Sequence, residues 1–155
     1  MAEYFDVIAS WFINKSIDEN KYITPLKLQQ LVYLSNCWHL GIKEEPLITQ
    51  DFEAWKYGPV LQDLYFKYKH IGKAYILKRE KPVLLNNIQL KLLEFCWDKY
   101  SFFTERDLTV MTNYETSPWQ QTRRRFYITD ERRISNSLIA RCYKTKYACM
   151  VNKPI

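Results

Sequence analysis

A chain of 155 residues sits in the range of one compact domain, which buries roughly 70% of the surface its unfolded form exposes, so no disulfide or metal is required to hold it together. Aromatic side chains make up 16% of the residues, against 3 Gly and 6 Pro, and this excludes a disordered or linker-rich protein. The formal charge of +6 is uneven: residues 1–119 carry 14 Lys/Arg and 15 Asp/Glu, whereas residues 120–155 carry 9 and 2, so a positive surface is expected in the last quarter alone.

At the start, Tyr4, Val7, Ile8, Trp11 and Phe12 fall on one stripe of a helix that is expected to end near Lys15. The same stretch carries acids where a secretory signal would be basic, and no apolar run approaches the ~18 residues that span a bilayer, so a cytoplasmic protein without membrane contact is expected. Ser16 to Asn20 reads as a polar connection. Thr24 and Pro25 form an N-cap and first helical residue, opening a helix to about Leu40 that is apolar on several sides and hence central, with Gly41 as its stop. Residues 46–57 change period and read as extended pieces or a small β-hairpin, after which Gly58 and Pro59 break the chain and start another helix, capped by Gly72.

Further on, Asn86 or Asn87 caps a helix bearing Ile88, Leu92, Phe95, Cys96 and Tyr100. Thr104 with Asp107 forms a capping box for a short helix through Met111. Ser117 and Pro118 repeat the cap-then-proline signal before Trp119. Ser135 or Asn136 opens a last helix with Leu138, Ile139, Cys142 and Tyr143 inward, and the residues after Lys144 read as a loosely held tail. The fold class that results is mainly α: a single-domain helical bundle with a small β-hairpin or extended segment near residues 46–57.

Several chemistries are written out by residue type. Glycine occurs only at 41, 58 and 72, so neither a P-loop nor a GxGxxG turn can be spelled, and GxSxG and HExxH are missing as well. Cys37 and His39 stand two positions apart on a helix and point about 200° from each other, which cannot make a nucleophile–base dyad. His70 is alone at a helix end. The acid pairs Asp18/Glu19, Glu44/Glu45 and Asp130/Glu131 lie in connections as solvated charge, and the four cysteines form no CxxC, so no metal, cofactor or enzymatic activity is expected.

Two candidate surfaces remain. Trp55, Tyr57, Gly58 and Pro59 solve a local turn problem by composition alone, and they also read as an aromatic anchor with Lys27, Gln30 and Lys56 as its polar rim. Arg123, Arg124, Arg125, Arg132 and Arg133, continued by Arg141, Lys144 and Lys146, read as a solvated basic face, as a contact for an acidic partner, or as a nucleic-acid surface. No RNP-like aromatic motif or helix-turn-helix segment accompanies them.

The run Thr24-Pro25-Leu26-Lys27-Leu28-Gln29-Gln30-Leu31-Val32-Tyr33, then Trp38-His39-Leu40, Pro46-Leu47 and Phe52-Glu53-Ala54-Trp55-Lys56-Tyr57-Gly58-Pro59-Val60, resembles the Panacea domain of SocA-like and GepA-like phage-associated proteins. Tyr65 with Lys69 and Gly72, Leu108 with Thr112, Pro118-Trp119, and Ile134 with Leu138-Ile139 and Tyr143 continue the likeness over nearly the whole chain. Asn113 departs from it, standing where the family often has His, as does the lack of a Gly after Pro118-Trp119. The resemblance implies a Panacea-like helical domain over residues 1–145 with a short tail at 146–155. It implies an antitoxin that neutralises a cognate toxin, encoded by an adjacent gene, by direct protein binding, and in an adaptor version hands that toxin to a ClpXP-type protease. The alternative is a nucleic-acid-binding regulator that uses the basic last quarter.

Overall fold

The long helix that opens at Pro25 organises everything around it. In the computed structural model, which describes residues 2–152, α2 runs Pro25–Lys43 and packs against the helices α1 (Phe5–Asp18), α3 (Gln62–Tyr68), α4 (Asn87–Tyr100), α5 (Glu105–Asn113) and α7 (Asn136–Val151). The remaining helix, α6 (Pro118–Thr129), lies against α5 and α7. Leu28, Leu31, Val32, Leu34, Cys37 and Leu40 are buried on different sides of α2, as its all-round apolar character demands. Seven α-helices and one small sheet therefore make up the described residues, in agreement with the mainly helical class.

Start signals in the sequence sit where the chain uses them. Thr24 Oγ1 accepts from the Lys27 amide at 3.1 Å, Ser117 Oγ from Gln120 and Ser135 Oγ from Leu138. Asn86 with Gln89 and Thr104 with Asp107 close reciprocal capping boxes, each satisfying two otherwise orphaned backbone donors.

The stops differ more. Helix α1 continues to Asp18, three residues into the expected connection, with Ser16 buried and its hydroxyl donating to the Ile13 carbonyl at 2.7 Å. Gly41 does not end α2. It is buried inside the helix, where a Cβ would stand 2.6 Å from the Tyr143 carbonyl carbon, and the glycine serves to let the α7 backbone approach. The true cap is Glu44, at φ 60°. Helix α7 likewise runs two turns beyond Lys144, so the start of the expected tail is helical, and residues 153–155 of it lie outside the described residues.

The extended region is narrower and later than its period implied. Strands β1 (Glu53–Trp55) and β2 (Gly58–Val60) pair antiparallel, with Trp55 opposite Gly58 across a turn made by Lys56 and Tyr57. Gly58 and Pro59 thus belong to β2, and the next helix waits until Gln62. Pro59 is tolerated there because β2 is an edge strand. The other edge of β1 is also occupied: Ala54 N–H donates to the Arg132 carbonyl (2.7 Å) and Ile134 N–H to the Phe52 carbonyl (2.8 Å). The α6–α7 connection is therefore a strap along β1.

Upstream of the hairpin, buried Asn36 Oδ1 accepts from the Leu47 and Ile48 amides at 2.9 and 3.3 Å. Asn36→Ala strands both donors away from water. It is expected to lower stability by about 2 kcal/mol, seen as a lower urea midpoint with an unchanged slope.

Candidate partner-binding surface

The β1–β2 turn is fastened from three directions. From α5, Asn113 Nδ2 donates to the Tyr57 carbonyl at 3.0 Å; from α6, Trp119 Nε1 donates to the Trp55 carbonyl at 2.8 Å and Arg123 Nη1 to the Ala54 carbonyl at 3.1 Å. From α3, Tyr65 packs its ring on Trp55, centroids 5.2 Å apart. Gly58 holds φ 151°, a conformation other residues resist, with the Asn113 side chain 3.5 Å from where a Cβ would be. Every constraint falls on the backbone or on Trp55, and none of these groups touches the Tyr57 ring.

That ring is 81% exposed, with Lys56 Nζ 5.4 Å above it. Trp55 is only part-exposed, and its indole N–H donates to the Glu53 carboxylate at 2.9 Å. From Trp55 the aromatic surface continues through Tyr65 to Phe66, whose ring centroids lie 5.5 Å apart and which remain 42% and 52% exposed. Lys69 covers the far end, 4.8 Å from the Phe66 ring. The result is a row of aromatic rings edged by ammonium groups on a backbone held still.

Of the five residues expected at this anchor, Trp55, Lys56 and Tyr57 come together and the other two go elsewhere. Lys27 Nζ donates to the Ser101 and Phe103 carbonyls at 2.7 and 2.8 Å, at the end of α4 where carbonyls lack helical partners. Burial pushes its pKa down, while Glu105 pulls it back up. Gln30 is buried, and its Nε2 donates to the Glu105 carbonyl and to Thr109 Oγ1, both at 3.0 Å. Both residues dock α2 onto the α4–α5 corner, and their polar groups are directed there and not at Trp55 or Tyr57.

Tyr65 and Phe66 belong to the surface in their place. The signal for Phe66 was in the sequence, as an aromatic off the apolar stripe of α3. Tyr65 precedes it in the chain and is only partly covered.

The arginines have different partners. Arg123 turns inward to the hairpin, and the Arg132 guanidinium lies 5.2 Å from the Phe126 ring. Arg124 is 3.7 Å from Glu115 and Arg133 is 3.8 Å from Asp51. Arg125 shares a small hollow at the α6–α7 corner with Arg133 and Glu131.

The cysteine and histidine of α2 are likewise separated. Cys37 is fully buried beside the Tyr33 and Tyr143 hydroxyls, and burial pushes its thiol far up. Burial also raises Cys96, to about 12. His39 Nδ1 sits 2.5 Å from the Glu45 carbonyl oxygen, an acceptor that calls for a proton on that nitrogen. No described helix is long and apolar enough to cross a membrane.

Comparison with known proteins adds a family to this geometry. Residues 28–120 match the model of the family described as antitoxin SocA-like, Panacea domain. A curated relative, Antitoxin SocA of Caulobacter vibrioides (strain NA1000 / CB15N), is 35% identical over 72 residues. Those residues are 46% of this chain and 38% of the relative, so the likeness spans well under half of the SocA chain. No solved structure matches.

Proposed function

Because the chain belongs to the SocA-like antitoxin family defined by the Panacea domain, we propose that it neutralises a cognate toxin by binding it directly, with the Lys56–Tyr57 turn and the Tyr65–Phe66 ladder as the contact surface. The observation that carries this is the contrast within one turn: the Tyr57 ring stands free while its backbone is tied to α5 and its neighbours to α3 and α6. A backbone that is already held loses little entropy on binding, and an exposed tyrosine on such a mount matches the residue type of binding hot spots. Inhibition would then follow from covering the toxin's working surface.

The test pairs this chain with the product of the neighbouring gene. Co-expression is expected to restore growth that the product alone arrests, and the two purified proteins should associate. Replacing Tyr57 with alanine is expected to weaken that association at least tenfold, about 1.4 kcal/mol, with an unchanged melting curve, since the ring supports nothing beneath it. Undiminished affinity in a Tyr57→Ala, Phe66→Ala double variant would remove this surface from the account. Failure of the wild-type chain to associate with the product would remove the antitoxin reading itself.

Delivery to a ClpXP-type protease is the second step of the proposal. It predicts a toxin half-life that shortens when both this chain and an active protease are present. A half-life that stays the same would leave steric occlusion as the complete mechanism.

A further inference from the structure

Away from the hairpin, the last two turns of α7 lie between two open apolar grooves. The larger, about 680 Å³, is floored by Trp38, Tyr100, Met111, Tyr143 and Met150; the smaller, about 330 Å³, by Ile42, Leu92, Phe95, Tyr147 and again Met150. Met150 lines both, and Lys99 Nζ stands 5.8 Å from the Trp38 ring of one and 5.9 Å from the Phe95 ring of the other. Four ammonium groups border this face: Lys99 and Lys146 on the larger groove, Lys43 and Lys91 on the smaller. Among the described residues no carboxylate lines either groove. None of the four lysines has a carboxylate within ion-pair distance among the described residues, although Lys144, one turn away, pairs with Glu44 at 2.7 Å.

We infer that this face is a second docking site, and that it takes an acidic, amphipathic helical segment of a partner polypeptide. Three observations select that occupant. The apolar floor requires apolar side chains from whatever docks on it. The unpaired lysines around it require carboxylates at the edges of the same segment, since charge complementarity sets register and excludes wrong partners. The walls are α2, α4, α5 and α7, whose backbone groups are used within their own helices, so no strand edge is offered and docking must proceed through side chains, as a helix in a groove does. A second copy of the chain fits poorly, because a two-fold pairing would set lysine against lysine.

The inference shares with the antitoxin proposal the premise that the chain acts on polypeptides, and it concerns a surface distinct from the hairpin. The full chain is used to select from a displayed library of 16-residue helical peptides, with counter-selection on the Lys99→Glu, Lys146→Glu variant. Enriched peptides are expected to carry Leu, Met or Phe at i, i+3 or i+4, and i+7, flanked by Asp or Glu. Synthesised, they should bind at least tenfold more weakly to the charge-reversed variant by fluorescence anisotropy, while moving the Met111 and Met150 methyl resonances of the wild type. The variant's melting curve controls for folding.

Enrichment of neutral or basic peptides, binding indifferent to the charge reversal, or methyl groups that stay still would overturn the inference. So would sedimentation showing a dimer that buries these methyls, or a preference of this face for duplex DNA. Growth rescue with no such peptide would discard the groove and keep the antitoxin reading; peptide binding without rescue would do the reverse.

Discussion

Replacing Trp97 with alanine is expected to remove about 3–5 kcal/mol of stability, a large share of the about 5–15 kcal/mol that holds a typical domain folded. Trp97 is the largest fully buried side chain, 1% exposed, with its ring 6.4 Å from that of Phe12. Its indole N–H also reaches the surface, donating to Glu19 Oε1 at 2.9 Å. Glu19 in turn pairs with Lys15 at 3.0 Å. Two losses are therefore combined, a cavity between α1 and α4 and a hydrogen bond at its rim.

Trp97→Phe separates them, keeping most of the apolar volume and deleting the donor. In the wild type the Glu19 carboxyl is held below the ordinary carboxylate range, first by the Trp97 hydrogen bond and then by Lys15. A group with a lowered folded pKa contributes stability that is present above its unfolded pKa and is lost as pH falls through the folded value. In Trp97→Phe, Glu19 should titrate closer to its ordinary value, and the acid limb of the stability curve should flatten. Carboxyl titration by NMR and urea midpoints against pH measure both; a Glu19 titration identical to wild type would contradict the role given to the indole.

The second large effect belongs to Gly41. In the middle of an exposed helix, glycine to alanine stabilises by about 1 kcal/mol. Here the added methyl would lie 2.6 Å from the Tyr143 carbonyl carbon and 2.7 Å from its Cβ, and a backbone in a packed helix cannot step aside as a flexible side chain would. Gly41→Ala is expected to reverse the usual sign and destabilise, and Gly41→Leu to cost about 3 kcal/mol or more, because α7 must be pushed off α2. Chemical denaturation decides it. A stabilised Gly41→Ala variant would mean that the two helices stand further apart than described.

Gly41 also marks what a sequence can and cannot disclose. A glycine after a long apolar helix is the ordinary sign of a stop; the purpose of Gly41 depends on a backbone 102 positions later, which no local pattern contains. Starts were legible because a cap is a contract between residues three apart, as at Thr24, Asn86, Thr104, Ser117 and Ser135. The hairpin was found but placed early, since Gly58-Pro59 spells a helix start as readily as an edge strand after a turn.

For the surface, the identity of the exposed aromatic at Tyr57 and the lysine beside it were readable from the motif. Lys27 and Gln30 were not, because a polar residue on a helix gives no hint that its partners are the carbonyls of Ser101, Phe103 and Glu105. The grooves beside α7 are hidden for a related reason: their floor is drawn from four helices, and nothing local shows that the helix carrying Lys146 continues past Lys144.

The strap along β1 has a consequence for how the protein is made. Ribosomes deliver residues 53–55 long before 132–134, so the hairpin spends the intervening synthesis with one flank bare, an invitation to pair with a neighbouring nascent chain. A product cut short at residue 120 would carry that bare flank permanently and be prone to aggregate. Competence to hold Tyr57 in place therefore arrives late in translation, and a half-finished chain has no steady platform to offer.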